Sequence, residues 1–516
     1  MHMKLSTLIS ETRIIGQSFT GDVEISGIVS DSRQVQPGYL FVALAGGTTD
    51  GHRYISDALS HGAAVVVGTE PLTGLTVPYL QVENSREALP YLAAAFYDYP
   101  GRKLTVIGVT GTDGKTTTTN LIHGILQAAG YRTGMISTIN AVIGGESLDT
   151  GFHVTTPDAP DMQRYLSQMV AAGLTHVVLE VTSHGLAQYR ADACEFDVAV
   201  LTNITHEHLD YHGSYEDYRS AKARLFSSLG STRHKIQGNP RKAVLNRDDS
   251  SFEYLSQQAT GECISYGFHP SADIRPVQVR HTLDGLSFLV TGQGLEFPLT
   301  CPLVGDFNIS NCLAAITATV YSLGVSPAAA LSGVRNLKAV AGRMERIDLG
   351  QGFTAIVDFA HTPNALRQAL QTAGQLTKGR LIAAFGAAGL RDRQKRRMMA
   401  QVSLELADLT VLTAEDPRTE SLEAILAEMA AGAAQAGGVE GRTFWRIPDR
   451  GEAIKFAVSL AKPGDLVIAC GKGHEQSMCF GEVEYPWDDR IAMKAAICEQ
   501  LGIPGPQMPY LPTQER

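Results

Sequence analysis

The chain has 516 residues, of which 44% are hydrophobic and 19% charged, with a formal net charge of -10. That is an ordinary globular composition, long enough for about three domains with their own cores, and it excludes a disordered chain. A pI near 5.8 excludes bulk attraction to nucleic acid or an anionic membrane, so an anionic small molecule has to be met by locally placed Lys and Arg.

The N-terminal stretch "MHMKLSTLISETRIIG" has no apolar core of signal-peptide length, and no run reaches the roughly 18 apolar residues of a membrane span. A cytoplasmic location is expected. The seven cysteines (Cys194, Cys263, Cys301, Cys312, Cys470, Cys479, Cys498) are scattered and never spaced CxxC, which predicts reduced, mostly buried thiols and argues against a disulfide framework or zinc cluster.

Three segments follow in chain order. Residues 1–98 carry strand-like runs, "YLFVALAG" and "AAVVVG", around a predicted helix "RYISDALSHG"; the stretch "GIVSDSRQVQPGYLFVALAGGTTDGHRYISDALSHGA" by itself also reads as a hairpin with a Pro-Gly turn. After a break at "YDYPGRK", residues 99–340 alternate helices with "KLTVIGVT", "THVVLEVT" and "DVAVLTNI", which read as buried parallel strands. Residues 231–242, "STRHKIQGNPRK", read as a solvated basic loop. Residues 341–516 repeat the α/β rhythm with strands "FTAIVDF", "RLIAAFG", "LTVLT" and "DLVIAC" and a helix "PNALRQALQTAGQL".

In "VIGVTGTDGKTTTTNLIHGIL" an apolar strand meets a glycine-rich turn and then a helix. Such a loop points backbone N–H groups into one concavity, adds the positive end of a helix, and lets a lysine reach the outer phosphates. Gly111, Gly114, Lys115 and Thr116 have the right types in the right order. Ordinary P-loop spacing would place a glycine at Val109, and Gly108 lies one residue early. A nucleoside triphosphate site outside the standard P-loop class is predicted.

The shifted "GTDGKTTT" loop resembles the "GTNGKTT" loop of the Mur ligase superfamily, with Asp113 where Asn is commoner. "GIVSDSRQVQPGYLFVALAGGTTDGHRYISDALSHGA", "TTPDA", "LEVTSHGLAQYR" and "TNITHEHLDYHGSYEDYRSAKARLF" extend the likeness, in order, to the MurE branch, over about 450 residues. The resemblance implies three α/β domains: a small mixed α/β UDP-binding domain, a central P-loop-type ATP-binding domain with a mostly parallel sheet, and a C-terminal Rossmann-like domain. It implies a bacterial, monomeric, ATP- and Mg²⁺-dependent ligase of peptidoglycan synthesis that adds the third peptide residue, a diamino acid, to UDP-N-acetylmuramoyl-L-alanyl-D-glutamate through an acyl phosphate.

Site residues carry over position by position. Gly111, Thr112, Asp113, Gly114, Lys115, Thr116 and Thr117 are implied for the triphosphate; Asn308, with Asn311 beside it, Arg343, Asp358 and His361 for the rest of the nucleotide; Glu345 shares the hinge with Arg343. Ser32 and Arg33 are implied for the UDP end, and Thr155, Thr156, Thr182, Gln188 and Arg190 for the muramoyl dipeptide. Thr116, Glu180, His208 and Lys222 are the implied Mg²⁺ positions, Lys222 as a carbamate, although locally it reads as a lysine on the polar face of an amphipathic helix. In "FGAAGLRDRQKR" the family's Gly-Gly-Asp becomes Ala388-Gly389-Leu390, while Arg391, Asp392 and Lys395 persist.

The incoming amino acid is implied to meet Arg391, Asp416, Arg418, Gly471 and Glu475. Branch members that add meso-diaminopimelate usually carry Asp-Asn-Pro-Arg where this chain has Glu415-Asp416-Pro417-Arg418. A carboxylate at 416 repels a distal carboxylate but not an ammonium, which favours lysine or ornithine. Glu415 also reads as part of an ordinary helix-entry turn. Three other classes stay open: a different ligase such as the MurF branch, a nucleotide switch or plain ATPase, and a binding protein without catalysis.

Overall fold

The computed structural model describes residues 2–17, 21–46, 50–139, 141–148, 155–205, 207–282, 285–337 and 340–515. Three α/β units are built around three main sheets. The first is five-stranded, in the order Ile14–Gln17, Tyr79–Val82, Val65–Gly68, Tyr39–Val42, Gly27–Val29. Gly27–Val29 pairs parallel with Tyr39–Val42, which corrects the hairpin expected from the Pro-Gly turn. A 3₁₀ turn at Ser32–Gln34, capped by Asp31, carries the chain back across, so the two strands run the same way.

The central sheet has eight strands, six of which run Thr133–Ile136, His176–Glu180, Thr105–Thr110, Val198–Leu201, Lys242–Asn246, Glu262–Tyr266, all parallel, with the last of them at the sheet edge. Val106 faces one core with Leu179 and Phe226, and Ile107 faces the other with Leu121, Ile122 and Ile125 of the helix Lys115–Ala128. Burial on both faces explains the unbroken apolar run of this strand. The third sheet orders Glu345–Ile347, Thr354–Asp358, Leu466–Cys470, Leu381–Phe385, Leu409–Leu412, Phe444–Arg446, antiparallel only at its first pair. The helix expected from "PNALRQALQTAGQL" spans Pro363–Leu376, with the Thr362 hydroxyl accepting from the Ala365 amide at 3.1 Å.

Two local expectations change. The loop 231–242 is not wholly solvated: Lys235 is buried, and its Nζ pairs with Asp197 Oδ2 at 2.6 Å and donates to the Leu104 and Glu195 carbonyls. Lys222 sits on the buried face of the helix Tyr215–Ser227, not on its polar face. Of the seven free cysteines only Cys263 is exposed. No helix among the described residues is long and apolar enough to cross a membrane.

Candidate active site

The chain leaves strand Thr105–Thr110 for Thr133–Ile136 toward one side of the sheet, and leaves its neighbour His176–Glu180 for Val198–Leu201 toward the other, so the loop at its carboxyl end opens where ligands bind in open α/β sheets. That loop is Gly111–Gly114. Gly114 has φ +82°, a left-handed conformation that favours glycine, and a Cβ there would sit 2.4 Å from Asn311 Oδ1. Lys115 caps the turn inward, its Nζ donating to the Thr112 carbonyl at 2.7 Å. Thr117 is buried one residue past Thr116.

Glu180 ends the neighbouring strand. Its carboxylate accepts from Thr116 Oγ1 at 3.0 and 3.2 Å, from the Thr138 amide at 3.1 Å and from Thr138 Oγ1 at 2.9 Å. It is only 1% exposed. Among the described residues it has no cationic partner within ion-pair distance, and a buried charge in that state calls for a cation. A carboxylate and a hydroxyl beside this glycine-rich loop offer the hard oxygen ligands that Mg²⁺ prefers. No group of three or more His, Cys, Asp or Glu among the described residues is arranged as a metal site by itself; the converging donors here are Thr116 and Glu180.

His208 is left-handed at φ 55°, and its ring packs edge-on against His184 with centroids 4.6 Å apart. Burial holds it down to about 4, against the pull of Glu207, so its imidazole is neutral near pH 7. Lys222 Nζ donates to the Gly111 carbonyl at 2.7 Å and lies 4.5 Å from the Tyr218 ring centroid. Burial first, then the Lys115 charge, push it well below the usual lysine range.

Residues of the third unit complete the cleft. Arg343 reaches Thr116 Oγ1 at 3.3 Å and stacks over Phe359, while Glu345 accepts from the Gly342 amide at 2.8 Å. Asp358 accepts from the Met344 and Ala360 amides at 2.6 and 2.8 Å, and burial raises its pKa. His361 Nε2 pairs with Glu207 Oε1 at 3.2 Å; burial opposes its charge, but Glu207 outweighs burial and raises its pKa. Asn364 Nδ2 donates to Asp113 Oδ2 at 3.0 Å, and burial followed by Glu207 raises Asp113.

Three adjoining cavities result. One of about 250 Å³ is lined by Gly114, Thr116, Asn308, Asn311, Arg343 and Asp358. Asn308 Nδ2 donates to the Val304 carbonyl, and Asn311 Nδ2 to Asn308 Oδ1. The central one, about 290 Å³, joins Lys115, Thr116, Glu180, Thr155, Thr182 and Glu475. Thr156 Oγ1 lies 3.1 Å from Thr182 Oγ1; Arg190 donates to Gln188 Oε1 at 3.0 Å and the Thr156 carbonyl at 3.1 Å.

The third cavity, about 140 Å³, is lined by Arg391, Glu415, Asp416, Arg418, Gly471 and Glu475. Lys472 Nζ lies 3.0 Å from Asp416 Oδ1 and 2.5 Å from Glu475 Oε2. Burial would raise Asp416, yet Lys472 holds its carboxyl below the usual range. Glu415 is buried and raised by burial, and its Oε2 has no hydrogen-bond partner among the described residues. The helix entry lies further on, where Ser421 caps Leu422–Gln435, so Glu415 is a cavity residue and not part of that turn. Asp392 caps a turn through the Gln394 amide, and Lys395 Nζ reaches the His361 carbonyl at 3.3 Å.

Ser32 and Arg33 line none of these three cavities; Ser32 is buried, and Arg33 is exposed and paired with Asp31 at 2.7 Å. Sequence reading passed over Thr138, Glu207, Asn364, Lys472 and Arg490. Glu207, Asn364 and Lys472 were within reach, since they stand inside "THEHLD", "PNALRQALQTAGQL" and "GKGHEQ". Thr138 and Arg490 carry no local motif.

Comparison with known proteins agrees with this architecture. The Mur ligase family catalytic domain matches residues 24–97, the Mur ligase middle domain 109–319, and the Mur ligase glutamate ligase domain 342–473. The chain is 44% identical over 490 residues to a UDP-N-acetylmuramyl-tripeptide synthetase of Roseiflexus sp. (strain RS-1), covering 93% of this chain and 96% of that protein. It is 40% identical over 498 residues to a UDP-N-acetylmuramoyl-L-alanyl-D-glutamate--2,6-diaminopimelate ligase of Geobacillus thermodenitrificans (strain NG80-2), covering 96% and 100%. A solved structure of a ligase with that second name superposes with a TM-score of 0.64 at 32% identity, covering 92% and 95% of the two chains. The chain therefore belongs to the Mur ligase family of ATP-dependent amide ligases, in its MurE-type branch.

Proposed function

We propose that this enzyme adds a diamino acid, lysine or ornithine, to UDP-N-acetylmuramoyl-L-alanyl-D-glutamate, as a monomer in the bacterial cytoplasm. The observation that carries the reading is the junction of the cavities: the central one shares Thr116 with the nucleotide side and Glu475 with the amino-acid side. A phosphate loop, a carboxylate site and an amine site meet there.

Condensing a carboxylate with an amine in water is uphill. The glutamyl carboxylate therefore attacks the γ-phosphorus of ATP, ADP leaves, and an acyl phosphate forms. The amine attacks the acyl carbon, phosphate leaves from the tetrahedral intermediate, and the amide remains after loss of a proton. Lys115 and Arg343 supply positive charge between two anions that otherwise repel. Thr116, Glu180, His208 and Lys222, as its carbamate, would hold Mg²⁺, which when bound screens the phosphate charge. Gly111 to Gly114 and Thr117 cradle the phosphates, and Asn308, Asp358 and His361 take the rest of ATP. Thr155, Thr156, Thr182, Gln188 and Arg190 take the dipeptide, and Ser32 and Arg33 the UDP end.

Charge counting supports the choice of amine. Asp416 and Glu475 share a single ammonium, Lys472, so within that trio two negative charges stand against one positive, while Arg391, Lys395 and Arg418 with Asp392 and Glu415 line the rest of the cavity. The surplus of the trio suits a second ammonium, and asparagine at 416 would remove it. Arg418, with no ion-pair partner among the described residues, suits a carboxylate of the amino acid.

Phosphate release from ATP, Mg²⁺ and the UDP-dipeptide, with lysine, ornithine, meso-diaminopimelate or D-alanyl-D-alanine added in turn, tests both levels. Release with lysine or ornithine is expected. Preference for diaminopimelate would sink the charge argument alone, and release only with the dipeptide, or with no amine, would sink the ligase assignment.

A further inference from the structure

Arg490 belongs to no motif discussed above, yet it lines the central cavity with Glu475, Gln476 and Ser477 of its own unit and with Thr138, Thr155 and Thr182 of the central one. Its position is built from the core outward. Asp489, fully buried, is gripped by the Arg450 guanidinium at 2.7 and 2.6 Å and by Trp487 Nε1 at 2.8 Å. That network fixes the turn entering the helix Asp489–Leu501. Asp488 then accepts from Arg490 Nε at 2.9 Å and Nη2 at 2.6 Å. One edge of the guanidinium is thereby spent, and the Nη1 edge has no partner among the described residues. The Arg490 side chain remains 20% exposed.

A planar guanidinium offers two edges, each matched to a carboxylate. With one edge held by Asp488 the group is pre-oriented, and little further rotamer freedom is lost when the other edge is engaged. The muramoyl dipeptide carries two glutamyl carboxylates. One is activated by ATP, and the other must be held still while it is. Arg190, proposed above for the dipeptide, already gives Nε to Gln188 and Nη1 to the Thr156 carbonyl and lies 3.1 Å from Asp158 Oδ1, so it does not offer the substrate a whole unspent edge.

Resting on the ligase reading above, we infer that Arg490, aimed by Asp488, binds the glutamyl carboxylate that is not activated. It thereby aligns the reacting carboxylate with the γ-phosphate from the third unit, while Thr155 and Thr182 line the cavity from the central one. Because Arg490 and these threonines stand on different units, the contact joins both walls of the cleft around one substrate.

The test is steady-state phosphate release by the full-length protein, with wild-type turnover of the UDP-dipeptide established first. Absence of that turnover would count against the ligase reading, independently of Arg490. For Arg490→Gln the expected result is a rise of about tenfold or more in KM for the UDP-dipeptide, with KM for ATP and for the amino acid within about twofold of wild type. An analogue whose non-reacting glutamyl carboxylate is a neutral amide should lose a similar factor with wild type and nothing more with the variant. Arg490→Lys, which keeps the charge without the fork, should recover part of the loss, and this guards against a glutamine chain that fails to fold. An unchanged KM for the UDP-dipeptide, a shift confined to ATP or the amino acid, additive losses with the analogue, or no recovery with lysine each overturns the assignment.

Discussion

Lys222 Nζ donates to the Gly111 carbonyl at 2.7 Å, so a fully buried lysine braces the loop proposed to hold the triphosphate. Burial and the nearby Lys115 charge favour its neutral amine, the form able to attack CO₂ and, after losing a proton, become a carbamate. Lys222→Ala should lower kcat by about 10²-fold or more. Removing dissolved CO₂ should mimic the loss in wild type and added bicarbonate should reverse it. Full activity in the alanine variant would refute the carbamate.

Glu180 makes the opposite case, a buried carboxylate satisfied by hydroxyls and one amide but, among the described residues, by no cation. Glu180→Gln should raise the Mg²⁺ concentration needed for half-maximal rate by about tenfold or more. Without Mg²⁺ the same variant should melt no lower than wild type, because an uncompensated buried charge has been removed. A lower melting point with unchanged Mg²⁺ dependence would make Glu180 purely structural.

Asp113, unusual for its loop, accepts from Asn364 across the cleft at 3.0 Å. The contact ties the loop Gly111–Gly114 to the first turn of the helix Pro363–Leu376. A double-mutant cycle of Asp113→Ala and Asn364→Ala on kcat/KM for ATP should give a coupling of roughly 1 kcal/mol. Strict additivity would mean that the contact does not contribute to turnover.

Acid sensitivity should come partly from Glu420, whose hydrogen bonds to the buried Arg396 guanidinium hold it down to about 2. A depressed carboxyl adds stability that is complete above its unfolded value, near 4.3, and is lost as pH falls toward the folded one. Urea midpoints of wild type should therefore drop between about pH 4.5 and 2, and Glu420→Gln should flatten that limb. Parallel curves for the two proteins would exclude Glu420 as a contributor.

What the sequence by itself determined is local. The loop Gly111–Gly114 follows a strand and opens a helix, "FTAIVDF" and "THVVLEVT" hold strands, and "PNALRQALQTAGQL" is the helix Pro363–Leu376. Each is set by periodicity, caps and turn chemistry acting within a few residues. Only the tertiary structure decided the rest. Gly27–Val29 and Tyr39–Val42 run parallel despite a hairpin-like turn, and Lys235 is drawn into the core by Asp197. Glu207 meets His361, Asp416 shares Lys472 with Glu475, and Arg490 is turned into the cleft by Asp488. Among these, His361 lies on a different unit from Glu207, and Lys472 follows a different strand of the third sheet from Asp416. The partners of such charges are chosen by how sheets and domains pack, which no local pattern encodes.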